Sequence, residues 1–307
     1  MWTVLAFISA LCLGCYDISK KIALRQNAVV DVLTISISVS AVLLSVPLLL
    51  SCSMPEMMMS TPFYVPALDW QGHLYTILKS VIVLSSWVFA YISLKHLPLS
   101  VVSPMQATRP MWTLIGALLL FDEHLNTWQW VGVLLAIGTI FIFSIHPHKK
   151  SNHPSSVSDN RYYFALALAI LIGACSGLYD KYLMRRYDHN AVQVYYTFYQ
   201  AVMMGIVWMI DRYAKRKKSN EPMLITPSSI LPIVCISLFL IVSDNVYMLA
   251  LRDPDSMIAV VSTIRRGGAV IGFAYGLLVL KEHDAMRKVL CMLGICAGLV
   301  CLAIGSL

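Results

Sequence analysis

The sequence predicts an all-α integral membrane protein in which ten transmembrane helices form two inverted five-helix repeats. Three observations lead there. Only 13% of the 307 residues are charged and 58% are hydrophobic, against about 25% charged and about 45–50% apolar in average soluble domains. Ten segments reach or approach the about 20 mostly apolar residues that cross a bilayer. The two halves of the chain also repeat each other at polar positions, where chance similarity between greasy segments would not produce matches.

The charge deficit carries more weight than the apolar excess, because a soluble chain of this length needs polar surface that these residues do not supply. A mean hydropathy of +0.72 agrees. A soluble enzyme, a disordered chain and a nucleic-acid-binding domain are excluded. The net charge of +7 does not argue for nucleic acid, since Lys and Arg sit between apolar runs rather than on one patch. Seven of the eight cysteines lie inside apolar runs and Cys52 at the end of one, where cysteine acts as a small hydrophobe. Cys12 and Cys15 formally read CxxC but lack a second ligand pair, so no metal and no cofactor are expected. The first residues carry no basic stretch and make a poor signal peptide.

The expected spans are 2–22, 30–53, 74–94, 99–121, 127–145, 161–182, 191–210, 230–250, 256–280 and 288–307. Longer connections fall at 54–73, rich in Met and Pro, at 146–160, and at 211–228, which holds a basic run from Arg212 to Lys218. At an offset of 163, Cys12, Gly14, Tyr16, Asp17, Asn27, Ala28 and Val29 meet Cys175, Gly177, Tyr179, Asp180, Asn190, Ala191 and Val192. Tyr91 meets Tyr247 at an offset of 156, and at 159 Val101–Ser103 meets Val260–Ser262 while Glu123-His124 meets Glu282-His283. The expected units are therefore residues 1–147, a linker 148–160, and residues 161–307. An odd helix number per copy forces opposite orientations, and inverted repeats are a hallmark of secondary transporters with a site between the halves. Basic residues favour the loops after odd-numbered helices, which places those loops in the cytoplasm and both termini outside.

The local motifs sharpen this. One reads Arg109-Pro110 through Asp122-Glu123, followed by Trp128, Gly132 and Gly138. Its counterpart reads Arg265-Arg266-Gly267-Gly268 through Lys281-Glu282, then Gly294 and Gly298, without a proline matching Pro110. With the five-plus-five repeat, these motifs resemble the EamA-type transporters of the drug/metabolite transporter superfamily over nearly the whole chain. The resemblance implies transport of amino acids, related metabolites or drugs, often by export, in the cell (inner) membrane.

Charges at membrane depth cost about 2.5–3.5 kcal/mol each on insertion scales and default to a functional reading. Arg109, Arg265 and Arg266 lie in mid-span, with Gln106 one turn from Arg109. They are read as holding the anionic group of a substrate, since an arginine fork takes carboxylate or phosphate in bidentate fashion; the alternative is that they cap broken backbone or pair with buried acids. Pro110, Gly267 and Gly268 beside them suggest either local irregularity or tight helix packing. Trp87, Tyr91 and Tyr247 are the aromatic candidates for the organic part of the substrate. Asp17, Asp180 and Asp244 are the candidates for proton coupling or gating, against local pairing at an interface. Lys79 reads as a snorkelling residue near a helix end. The Glu123-His124 and Glu282-His283 pairs read as helix-end contacts or gates.

The function expected is alternating-access transport, with a small-molecule substrate, the lipid bilayer and protons as partners, and a homodimer left open. No Walker A, HExxH or Gly-Xaa-Ser-Xaa-Gly motif is present, so neither ATP drive nor common hydrolysis has support. The rival readings are a flippase or a membrane enzyme acting on a lipid-linked substrate.

Overall fold

The structure is a computed structural model and describes residues 1–24, 27–96, 109–145, 160–216, 229–268, 270–271 and 285–305. Among them every regular element is helical: α1 (Trp2–Leu24), α2 (Val29–Ser53), α3 (Pro55–Met59), α4 (Trp70–His96), α5 (Arg109–Leu120), α6 (Thr127–Ile145), α7 (Asn160–Met184), α8 (His189–Arg216), α9 (Ile230–Arg252), α10 (Ile258–Arg266) and α11 (Ala285–Gly305). Five of these, in α1, α2, α4, α7 and α9, are long and apolar enough to cross a membrane. Their outward faces are greasy. Val42 is 68% exposed, Leu74 55% and Leu231 72%, a surface that suits lipid and that soluble monomers rarely present in quantity.

Three boundaries differ from expectation. α4 begins at Trp70, four residues before the expected start. α8 runs on to Arg216, taking part of the basic run into a helix; Lys and Arg are good helix formers, and Arg212 stacks on Trp208 at 5.2 Å. The Met-rich connection holds the short α3, whose first residue is Pro55, a position where the missing N–H costs nothing. Of the expected spans 99–121 and 256–280, the described parts are α5, α10 and residues 270–271.

The more extensive helix contacts match between the two halves of the chain, while α9 also meets α7 and α8. α1 packs on α9 as α4 packs on α7; α5 meets α7 as α10 meets α1; α4 meets α8 as α9 meets α2. α2 pairs with α8, and α6 with α11. One apolar core runs through both halves, from Ala6 and Leu114 to Leu178, Met248, Val260 and Leu302. Serines tie the long helices together. The Ser243 hydroxyl donates to the Ser9 carbonyl at 3.0 Å and the Ser86 hydroxyl to the Ala169 carbonyl at 2.8 Å, contacts that satisfy polar groups where no water is available.

The α6–α11 contact depends on glycine. A Cβ on Gly298 would meet the Gly132 carbonyl at 2.9 Å and the Ala136 backbone nitrogen at 2.9 Å. Backbones approach this closely only through small residues. Gly298→Leu is therefore expected to wedge α6 from α11 and lower stability by about 1–3 kcal/mol or more, read as a fall in melting temperature. An unchanged melting temperature would mean that this contact does not hold the helices together.

Candidate functional site

A cavity of about 220 Å³ lies where α1, α4, α5, α7, α8, α9 and α10 meet. Its lining holds Lys79, Arg109, Arg265 and Arg266, the carboxylates of Asp180 and Asp244, and the aromatic rings of Tyr16, Trp87, Tyr196 and Tyr247. Polar residues on helices with otherwise apolar faces thus converge on one interior space.

The cations are not equivalent. Lys79, 3% exposed, donates to Asp180 Oδ1 and lies 4.5 Å from the Tyr196 ring centroid. Lys79 does not snorkel. α4 starts four residues earlier than expected, so the lysine is almost a turn deeper, and Asp180 on α7 meets it there. Arg265 donates to Asp244 Oδ1 and lies over the Tyr247 ring at 4.2 Å, with its Nε buried and unbonded. Arg109 donates from Nη2 to the Gly173 carbonyl at 2.5 Å. A Cβ on Gly173 would come within 2.6 Å of the Arg109 guanidinium carbon, so only glycine lets the arginine lie against α7. Arg266 is exposed within the lining. Among the described residues neither Arg109 nor Arg266 forms an ion pair.

The alternatives drawn from the sequence are thereby divided. Arg265 pairs with a partly buried acid, Arg109 meets a backbone carbonyl, and Arg266 does neither among the described residues. Around Gly267 the chain tightens: its N–H donates to the Ile264 carbonyl at 2.8 Å, and Gly268 N–H to the Arg265 carbonyl at 3.3 Å, three-residue spacings of the 3₁₀ type. Close packing accompanies this, since the Gly268 backbone sits against Ala10 and Gly14 of α1.

Trp87 and Tyr247 line the cavity as expected. Gln106 and the Tyr91 side chain lie outside the described residues, as do Glu282 and His283. Asp17 is exposed and off the lining, within electrostatic reach of Lys20, Arg266 and Arg265. Its repeat partner Asp180 sits inside and pairs with Lys79 rather than with the adjacent Lys181, which corrects the reading of Asp180 as an interfacial charge. The sequence reading did not single out Tyr16, Tyr196 or Gly173; the repeat match of Tyr16 to Tyr179 was the one available signal.

One end of the bundle is tightly locked. Lys181 is fully buried and donates to the Ser256 carbonyl and hydroxyl, with the Asp253 carbonyl at 3.4 Å. Glu123 accepts from the N–H groups of Ile258 at 2.6 Å and Ala259 at 3.2 Å, capping the start of α10 from the other half of the chain. Burial pushes the Glu123 carboxyl up, against the pull of those two N–H donors and of the Lys181 and Arg185 charges. Arg252 reaches Asp188 at 2.7 Å. Burial raises the Asp188 carboxyl, but the His189 contact, the Asn190 N–H and Arg252 outweigh it and hold it low. The Asn190 amide donates to the Pro62 carbonyl at 2.8 Å and the Tyr64 carbonyl at 3.0 Å.

Greasy outer faces and several apolar spans define a multi-pass membrane protein, and its interior holds a charged cavity. Residues 1–145 match the model of the EamA-like transporter family. Members of that family are membrane transporters rather than enzymes. A solved structure described only as the crystal structure of a protein is similar over 99% of this chain and 96% of its own, with a TM-score of 0.74 and 11% identity; at that identity the likeness concerns the fold alone. No curated protein matches the chain.

Proposed function

We propose that this protein is a secondary transporter that moves a small anionic or zwitterionic metabolite, such as an amino acid or a related compound, outward across the cell (inner) membrane by alternating access. The observation that carries this is the cavity lined by Arg109, Arg265 and Arg266 at the junction of helices from both halves. The arginines would hold the substrate's anionic group, with Gln106 beside Arg109; Trp87, Tyr247 and Tyr91 would contact its organic part. Asp244, Asp180 and Asp17 would couple transport to protons or gate it.

The fold in this proposal is ten helices in two inverted five-helix repeats, 1–147 and 161–307. Support comes from the more extensive helix pairings, which recur when the halves are exchanged. Position pairs agree as well. Arg109 lies on Gly173, and their repeat counterparts Gly268 and Ala10 are also in contact. Rocking of the halves about the cavity is the motion such symmetry allows.

The test is uptake and efflux in proteoliposomes against a metabolite panel, with a pH gradient on and off. Arg109→Ala and Arg265→Ala are expected to abolish transport while the protein still purifies as a folded species. Full activity in both variants would remove the proposed site. A membrane enzyme would instead need converging acid, base or metal ligands near one interface, whereas both lining carboxylates are engaged by cations.

A further inference from the structure

We infer that the cavity takes an organic dianion, a phosphate monoester or a dicarboxylate, rather than a zwitterion or a monoanion. This rests on the transport reading above and narrows its substrate class.

Among the described residues the lining carries four cations, Lys79, Arg109, Arg265 and Arg266, and two carboxylates, Asp180 and Asp244. Lys79 with Asp180 and Arg265 with Asp244 are joined as ion pairs, which leaves Arg109 and Arg266. These two come from α5 and α10 and lie within electrostatic reach of each other. Like charges facing one cavity repel each other. A dianion placed between them cancels both charges, a monoanion leaves one, and a zwitterion leaves the sum unchanged. Donors are also in surplus: Arg109 spends one N–H on Gly173, and Arg265 keeps a buried Nε–H free. Guanidinium groups in this number suit a phosphate or a pair of carboxylates.

An ammonium group, by contrast, finds no uncommitted carboxylate among the described lining residues. Both lining carboxylates already hold a cation, and the ring faces of Tyr247 and Tyr196 are occupied by Arg265 and Lys79. The remaining acid nearby, Asp17, lies off the lining and shares its helix with Lys20. The cavity has a volume of about 220 Å³.

The experiment uses the full-length protein, with thermal stabilisation in detergent and uptake into proteoliposomes, and four probes: glycerol 3-phosphate, succinate, lactate and alanine. Both dianions, or one of them, are expected to stabilise and enter; their ranking separates phosphate from dicarboxylate. Arg266→Gln is expected to weaken dianion binding about 10–100-fold, the loss of a charge-assisted contact, and to move the preference towards lactate. That change of ranking would not follow from mere loss of fold. Arg161→Gln, at an arginine stacked on Tyr162 at 4.8 Å away from the cavity, should leave the ranking intact. The inference is overturned if alanine or lactate binds as well as both dianions, if neither dianion binds, or if Arg266→Gln leaves the ranking as it was. Alanine or lactate uptake with no dianion uptake would overturn it while the transport reading stands; dianion binding without uptake of any probe would retain the site and remove the transport reading.

Discussion

Lys79→Ala should lower stability by about 3–5 kcal/mol, the cost of leaving one partner of a buried ion pair without its counter-charge. Lys79 is 3% exposed and the Asp180 side chain 10%, so water cannot take over from the lysine. The ammonium also faces the Tyr196 ring, and that contact is lost with it. Lys79→Met combined with Asp180→Asn removes both charges at similar volume, and most of the loss should return. Thermal unfolding of the two single variants and the double variant measures the coupling. If the single and double variants melt alike, the pair does not act as a unit. Transport should fail in Lys79→Ala, because an unpaired carboxylate would enter the field of Arg109 and Arg266 and compete with the substrate's negative charge.

Lys181→Met should loosen the locked end of the bundle. It removes a fully buried ammonium from the Ser256 and Asp253 acceptors, and hydrogen bonds to charged groups contribute about 1.5–3 kcal/mol each. The Glu123 cap on α10 and the Lys181 anchor on the connection before it hold the same junction from two helices. With one released, α10 and its two arginines should move more readily. The measurement is labelling of Ser262→Cys, a cavity position, by an impermeant thiol reagent added from the side of this end. Labelling should rise in the Lys181→Met background. Unchanged labelling together with an unchanged melting temperature would show that Lys181 does not hold this end shut.

Much of the architecture was legible because membrane helices announce themselves by length and greasiness alone. Polar matches such as Asn27 with Asn190 suggested a relation between the halves; in the structure both side chains tie a helix start to a distant loop or helix, Asn27 to Ser229 and Asn190 to Pro62. The arginines stood out because charge is scarce at that depth. Lys79 was misjudged because a four-residue error at a helix start changes depth by nearly a turn. Lys181 looked like a local partner of Asp180 because adjacency in sequence says nothing of direction on a helix, where neighbours point about 100° apart. Tyr16 and Tyr196 were missed because a tyrosine in an apolar run reads the same whether it faces lipid, a neighbouring helix or a cavity. Gly173 could not have been found: what it contributes is the space beside Arg109, and the partner that needs that space lies 64 positions away.

The surplus of two cations over carboxylates among the described lining residues also has an electrical consequence. A membrane potential exerts about 2.3 kcal/mol per elementary charge per 100 mV. Any rearrangement that carried Arg109 and Arg266 across part of that field while the cavity stood empty would be voltage-sensitive, and a hyperpolarised membrane would hold the empty carrier towards its negative face. Once a dianion lay between the two guanidinium groups, the same movement would transfer almost no net charge. Voltage would then act on the return of the empty carrier and spare the loaded one.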